Sequence, residues 1–144
     1  MIRSILIVCV GNICRSPAAE KLFRHKLSDR LTVSSAGLNA VVDHSIDPNM
    51  QKCLLDSGVQ ELTHKARQFT VEMAQRADLI MVMEKTHIHQ IVQTAPYTQG
   101  KIMLLGKWGK DAEVPDPYQR NEAFFYQIFR AMNQHIDAWV SKLT

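Results

Sequence analysis

The chain has 144 residues, 46% hydrophobic and 22% charged, proportions that exclude disorder and low complexity. Its formal net charge of +3, from 17 basic and 14 acidic residues, is too slight for a dedicated nucleic-acid binder but leaves room for a locally basic anion site. The length predicts one domain over residues 1–144; the longest apolar run, Ile5–Val10, is far short of the ~20 residues of a membrane span, and three cysteines make no secreted disulfide scaffold, so a cytoplasmic chain with reduced thiols is expected.

Ser4–Val10 reads as a strand buried on both faces, because its apolar run is nearly continuous. A loop over Gly11–Arg15 leads to Ser16-Pro17, a favoured N-cap followed by a favoured first helical residue. Ala19, Leu22, Phe23, Lys26 and Leu27 then follow at helical spacing, with apolar groups on one side. Leu31–Ala36 reads as a second strand ended by Gly37. Asp47-Pro48 repeats the cap-then-proline signal, and Gly58 stops that helix. Thr70 is placed to cap a short helix through Arg76, and Leu79–Met83 is a third buried strand. Thr86–Thr94 is predicted helical with Pro96 beyond its end, and His87-Ile88-His89 is expected on its solvated surface. Ile102–Leu105 is a fourth, shorter strand. The last helix starts near Asn121, with Phe125, Ile128, Phe129, Met132, Ile136, Trp139, Val140 and Leu143 in one stripe. Alternating strands and helices predict an α/β fold, a parallel sheet covered by helices on both faces. In such folds ligands bind beyond the carboxyl ends of the strands, where the Gly11–Arg15 loop lies.

That loop carries the chemistry. The segment Cys9-Val10-Gly11-Asn12-Ile13-Cys14-Arg15-Ser16-Pro17 joins the first strand to the first helix. Successive backbone N–H groups at a helix N-terminus form a concavity for an anion. Gly11 and Asn12 tolerate the positive φ that such a turn needs. Arg15 offers a planar fork for two phosphate oxygens. Cys9 lies at the base of the same cradle, where a helix N-terminus and a guanidinium favour a thiolate, and Ser16 can donate its hydroxyl hydrogen to it.

A cysteine in an apolar strand is ordinarily a small core residue. With eight Arg and eight Ser in the chain, Cys followed six positions on by Arg and then Ser arises by chance about once in a hundred such chains. Packing alone therefore does not explain Cys9. Cys53, among Met50, Leu54 and Leu55, reads as core. Cys14 lies five positions after Cys9 in a tight loop and is within reach of it. No Cys/His spacing of the zinc kind is present, so no metal is expected. Pro115-Asp116-Pro117-Tyr118 is by itself a turn. Beside a thiolate and a phosphate cradle, Asp116 becomes a candidate general acid, and Tyr118 an aromatic wall.

CVGNICRSP near the start, SSAG at Ser34–Gly37, HKARQ at His64–Gln68 and DPY at Asp116–Tyr118 together resemble the low-molecular-weight protein tyrosine phosphatases, in the bacterial branch associated with capsule and exopolysaccharide. The resemblance implies a single flavodoxin-like domain, with a four-stranded parallel sheet between layers of helices, and no metal or organic cofactor. It implies Cys9 as nucleophile, Arg15 as phosphate clamp and Asp116 as acid then base. Val10, Gly11, Asn12, Ile13, Cys14, Ser16 and Tyr118 would bind phosphate and substrate. Asn12 would hold the loop through Ser35 and His64, and Cys14 is the candidate redox partner of Cys9. Gln119 stands where relatives often carry an aromatic or basic residue.

The implied reaction is hydrolysis of a phosphotyrosine protein, a bacterial tyrosine autokinase of polysaccharide export among the candidates, through a phosphocysteine, with inorganic phosphate as product. No nucleic-acid partner and no membrane insertion are expected. Two enzymes on the same cradle compete with this reading. Thioredoxin-coupled arsenate reductase needs two further cysteines in a mobile segment, where this chain has only Cys53. Protein arginine phosphatase carries Thr where Ile13 stands here. A non-catalytic phosphate-binding module is the competitor from another class, and it would need neither thiol nor acid.

Overall fold

The computed structural model describes residues 1–27 and 29–144. Four strands, β1 (Ser4–Cys9), β2 (Thr32–Gly37), β3 (Leu79–Val82) and β4 (Ile102–Leu104), alternate with five helices: α1 (Arg15–Lys26), α2 (Pro48–Asp56), α3 (Val71–Arg76), α4 (Lys85–Thr94) and α5 (Glu122–Leu143). A 3-10 turn over Pro96–Lys101 precedes β4. The strands form one parallel sheet in the order β2-β1-β3-β4. The three-layer α/β architecture expected from the sequence is the one observed.

Strand alternation divides the core. Ile5, Ile7, Cys9, Leu79 and Met81 face one side, where they pack with α1, α2 and α5. Leu6, Val8, Ile80 and Val82 face the other, against Ala74 of α3 and Ile91 of α4. The apolar stripe of α5 buries Phe125, Ile128, Phe129, Met132, Ile136 and Trp139, and the Trp139 indole N–H donates to Leu105 O at 2.8 Å. Burying side chains of this size stabilises by roughly 1.5–3 kcal/mol each.

Helix starts follow local chemistry at most positions. Asp47 accepts from Asn49 N at 2.8 Å, Thr70 from Met73 N at 3.2 Å and Asn121 from Phe124 N at 2.9 Å. Gly58 stops the chain after α2 at φ 95°, where a side chain would be strained. The first helix departs from expectation. It begins at Arg15 with Cys14 as N-cap and no side-chain capping bond. Ser16 is therefore the second helical residue, because its hydroxyl is committed elsewhere. Nor is α1 one-sided. Every residue from Arg15 to Phe23 is buried, since the helix lies between the sheet and both α2 and α5. The boundary of α4 moves to Lys85, and β1 ends at Cys9, leaving Val10 exposed.

The free edge of β2 is covered by arginines. Arg24 donates from Nε and Nη2 to Val33 O at 3.0 and 2.7 Å, and Arg67 Nε donates to Ser35 O at 2.9 Å. Occupied carbonyls give another chain no ladder to join. At the end of this strand Gly37 pairs with Cys9, and a Cβ there would lie 2.4 Å from Val10 O and 3.0 Å from the Asn12 Cβ. The loop after β1 thus rests directly on the Gly37 backbone. Gly37→Ala should destabilise the fold by about 1–3 kcal/mol, the usual range for overpacking, and should weaken phosphate binding by displacing that loop. Denaturation midpoints and phosphate titration check both, and unchanged values would show that the loop is free to yield.

Candidate active site

The loop over Val10–Cys14 leaves the carboxyl end of β1 and enters α1. Its carbonyls are taken from outside. Val10 O accepts from Asn39 N at 2.9 Å, Gly11 O from Val41 N at 3.0 Å and Ile13 O from Asp47 N at 2.7 Å. Asn12 O lies 2.7 Å from His64 Nε2, which must donate because a carbonyl only accepts. In a planar trans peptide the N–H points opposite to the carbonyl. The amides of Gly11, Asn12, Ile13 and Cys14 are therefore turned away from these partners, toward the cavity of about 220 Å³ that these residues line. The first turn of α1 holds no acidic residue and its last turn holds Arg24, His25 and Lys26, so its positive end is left for an external anion.

Only one residue of the loop takes a left-handed conformation, Asn12 at φ 59°. Gly11 keeps an ordinary φ, contrary to expectation, and a Cβ there would make only normal contacts with Val41 and Ile13. Asn12 is fully buried and every polar atom of its amide is used. Nδ2 donates to Ser16 Oγ at 2.8 Å and to Ser35 Oγ at 3.0 Å, while Oδ1 accepts from Arg67 N at 2.9 Å. Ser35 Oγ donates onward to Glu20 Oε1 at 2.7 Å, and Glu20 pairs with Arg24 Nη1 at 3.2 Å. Ser16 Oγ lies 2.9 Å from Cys9 Sγ. With Asn12 filling one lone pair of that oxygen, its hydrogen is free to go to the sulfur whenever the sulfur is ionised.

Arg15 is 1% exposed. Nη1 donates to Glu84 Oε2 at 2.6 Å and to Val114 O at 2.8 Å, and Nη2 lies 3.8 Å from Asp116 Oδ2. Asp116 is half exposed, and its Oδ1 accepts from Tyr118 N at 3.0 Å. Asp116 and Tyr118 line the same cavity as the loop, joined by Asn39 and Val41. Among the described residues no three His, Cys, Asp or Glu side chains cluster as a metal would require. Burial first, then Asp56 and Glu122, push the Cys53 thiol up to about 11. Burial first, then charge at Cys9, Asp47 and Asp116, hold the Cys14 thiol far above its ordinary value.

The predicted set is brought together with a clear division. Cys9, Val10, Gly11, Asn12, Ile13, Cys14, Arg15, Asp116 and Tyr118 line the cavity, while Ser16, Ser35 and His64 stand behind the loop. Glu84 is the partner of Arg15. His87 is not on a solvated surface. It is 2% exposed, with Nδ1 accepting from Glu84 N at 3.2 Å. The side of α4 that carries it meets the carboxyl end of β3, which periodicity over so short a helix does not reveal. Asn39, Val41 and Glu20 were not legible as site residues. The Val41-Val42 pair, exposed and apolar in a polar loop, was the one available signal.

Residues 4–144 match the family model described as low molecular weight phosphotyrosine protein phosphatase. The chain is 39% identical over 141 residues to the low molecular weight protein-tyrosine-phosphatase Etp of Escherichia coli K12, covering 98% of this chain and 95% of that one. The tyrosine phosphatase Wzb of Escherichia coli K30, solved in complex with sulphate, matches all of both chains at 38% identity with a TM-score of 0.95. Wzb of Vibrio vulnificus, solved with benzylphosphonate, matches 99% of both chains at 34% identity, again with a TM-score of 0.95. With loop, fold and relatives in agreement along its whole length, the chain belongs to the low molecular weight phosphotyrosine protein phosphatase family.

Proposed function

We propose that this chain hydrolyses phosphotyrosine in proteins through a phosphocysteine on Cys9. The observation that carries this reading is the convergence on one cavity of Cys9, inward-turned loop amides, the buried Arg15 and the half-exposed Asp116. In the first step the Cys9 sulfur attacks phosphorus in line. An S–P bond forms, the P–O bond to tyrosine breaks, and Asp116 gives its proton to the departing oxygen. In the second step water attacks the phosphocysteine and gives a proton back to Asp116, the S–P bond breaks, and phosphate leaves. The loop amides and the free edge of Arg15 hold the non-bridging oxygens throughout, so preorganised electrostatics carry most of the acceleration.

Ile13, Val41 and Tyr118 give the cavity apolar walls suited to a phenyl ring, and the Vibrio vulnificus relative binds benzylphosphonate, an aryl group next to a tetrahedral anion. An arginine phosphatase would gain from a hydroxyl where Ile13 stands. A thiol relay for arsenate would need Cys53, which is buried in α2. The physiological substrate we propose is a bacterial tyrosine kinase of polysaccharide export, and a Cys9→Ser protein should retain it from lysate as a phosphotyrosine-bearing partner. Cys14 is proposed to condense with a peroxide-oxidised Cys9, the sulfenic acid and thiol giving a disulfide and water.

Asp116→Asn keeps the side-chain shape and removes the proton. Because a phenol with a pKa of about 10 leaves poorly as its anion, the loss on phosphotyrosine should be roughly 10²–10⁴-fold. On p-nitrophenyl phosphate it should be clearly smaller, whereas Cys9→Ser should abolish both. Equal losses in single-turnover measurements of the first step would reduce Asp116 to a turn residue. Ile13→Thr should lower kcat/KM on phosphotyrosine peptides several-fold to about tenfold, as roughly one to two buried methylene equivalents are lost; a wild-type preference for phosphoarginine would overturn the substrate assignment. Cys14→Ser should turn over normally yet recover poorly with thiol after peroxide, and equal recovery would remove Cys14 from the redox scheme.

A further inference from the structure

His87 is a buried titratable group with no part in the chemistry above. It is the third residue of α4, and its Nδ1 accepts the N–H of Glu84, so any proton on the neutral ring resides on Nε2. That nitrogen lies 3.6 Å from Glu84 Oε2, the same oxygen that receives Arg15 Nη1 at 2.6 Å. Burial first, then the Arg15 charge, lower the histidine from its ordinary value, against the opposing pull of Glu84, Glu113 and Asp116. The imidazole is thus neutral at neutral pH and faces Glu84 with a donor. The Glu84 side chain is one-third exposed, and a glutamate with three rotatable bonds is not fixed by position alone.

Resting on the phosphatase reading, we propose that His87 is a positioning residue for oxyanion binding: it sets Glu84 against Arg15, so that the guanidinium presents its remaining edge to the phosphoryl group. One ring nitrogen fixes the backbone entry of α4 from which Glu84 projects, and the other faces the carboxylate. The chain of contacts runs from α4 through Glu84 to the buried arginine and ends in the cavity. Arg15 then arrives already oriented, with Nη1 saturated by Glu84 and Val114 and Nη2 directed toward the Asp116 side. Misplacing such a group by an ångström lowers rate as much as two orders of magnitude.

His87→Phe retains the ring and removes both nitrogens. It should reduce kcat/KM on a phosphotyrosine peptide by roughly 10–100-fold and weaken inhibition by vanadate, which mimics the five-coordinate phosphorus, more than inhibition by inorganic phosphate. His87→Asn, whose Oδ1 can again accept the Glu84 N–H, should recover most of the loss. In a Glu84→Gln background His87→Phe should add less than about a twofold further loss, since the histidine acts through Glu84. Losses that multiply in the double variant, or vanadate affinity that stays at the wild-type value, would make His87 a packing residue and overturn the proposal. If His87→Phe does not fold, as judged by its melting transition, His87→Leu is read against the same outcomes. A wild-type protein without turnover would sink the phosphatase reading alone, because phosphate and vanadate binding across the same variants still decides the role of His87.

Discussion

The active end of this molecule depends on the side chain of Asn12. A residue in the left-handed region costs about 1 kcal/mol or more unless it is glycine or gains local hydrogen bonds, and Asn12 gains three through its amide. These bonds tie the loop to the first turn of α1, to β2 and to the segment at Arg67. A loop held from three directions keeps its amides in place without a bound anion. Such a site has little reorganisation left to perform when charge arrives.

Behind this turn, the polar groups are arranged in series rather than scattered. Glu20 receives Ser35, Ser35 receives Asn12, Asn12 reaches Ser16, and Ser16 meets the Cys9 sulfur. Every member is buried, so leaving any one unsatisfied would carry the full desolvation penalty of its partner, roughly 1–3 kcal/mol. No buried side-chain nitrogen or oxygen among the described residues lacks a partner. The completeness of the network is what makes it rigid.

Arg15 presents the opposite problem. A cation withdrawn from water is expensive, and a single partner rarely offsets that expense. Here Glu84 and the Val114 carbonyl share one guanidinium nitrogen, while Asp116 lies farther off at 3.8 Å. The arginine is therefore neutralised on the side away from the cavity and remains available on the side facing it. Asp116 keeps its solvent exposure and its own link to Tyr118. Burial, and then the charge of the same arginine, lower His87 from its ordinary value.

Strand periodicity, the β1-to-α1 loop and the Asp-Pro-Tyr turn were readable along the chain, because apolar alternation, helix stops and a cysteine-to-arginine spacing are local properties. From them follow the parallel sheet, the cavity at its carboxyl end, and the residues that line it from a single segment. Tertiary structure alone decided the rest. That Ser16 serves the sulfur instead of capping α1 depends on where Asn12 is held by β2 and Arg67. That α1 is buried continuously from Arg15 to Phe23 depends on α5, about a hundred residues later. The distances from Glu84 to Arg15 and from His87 to Glu84 arise where β3 and α4 pass the loop after β1, and Gly37 is required only because the Val10 carbonyl lands on it. Local sequence specifies which groups can act, whereas contacts between segments far apart in the chain determine which of them face the cavity and which stand behind it.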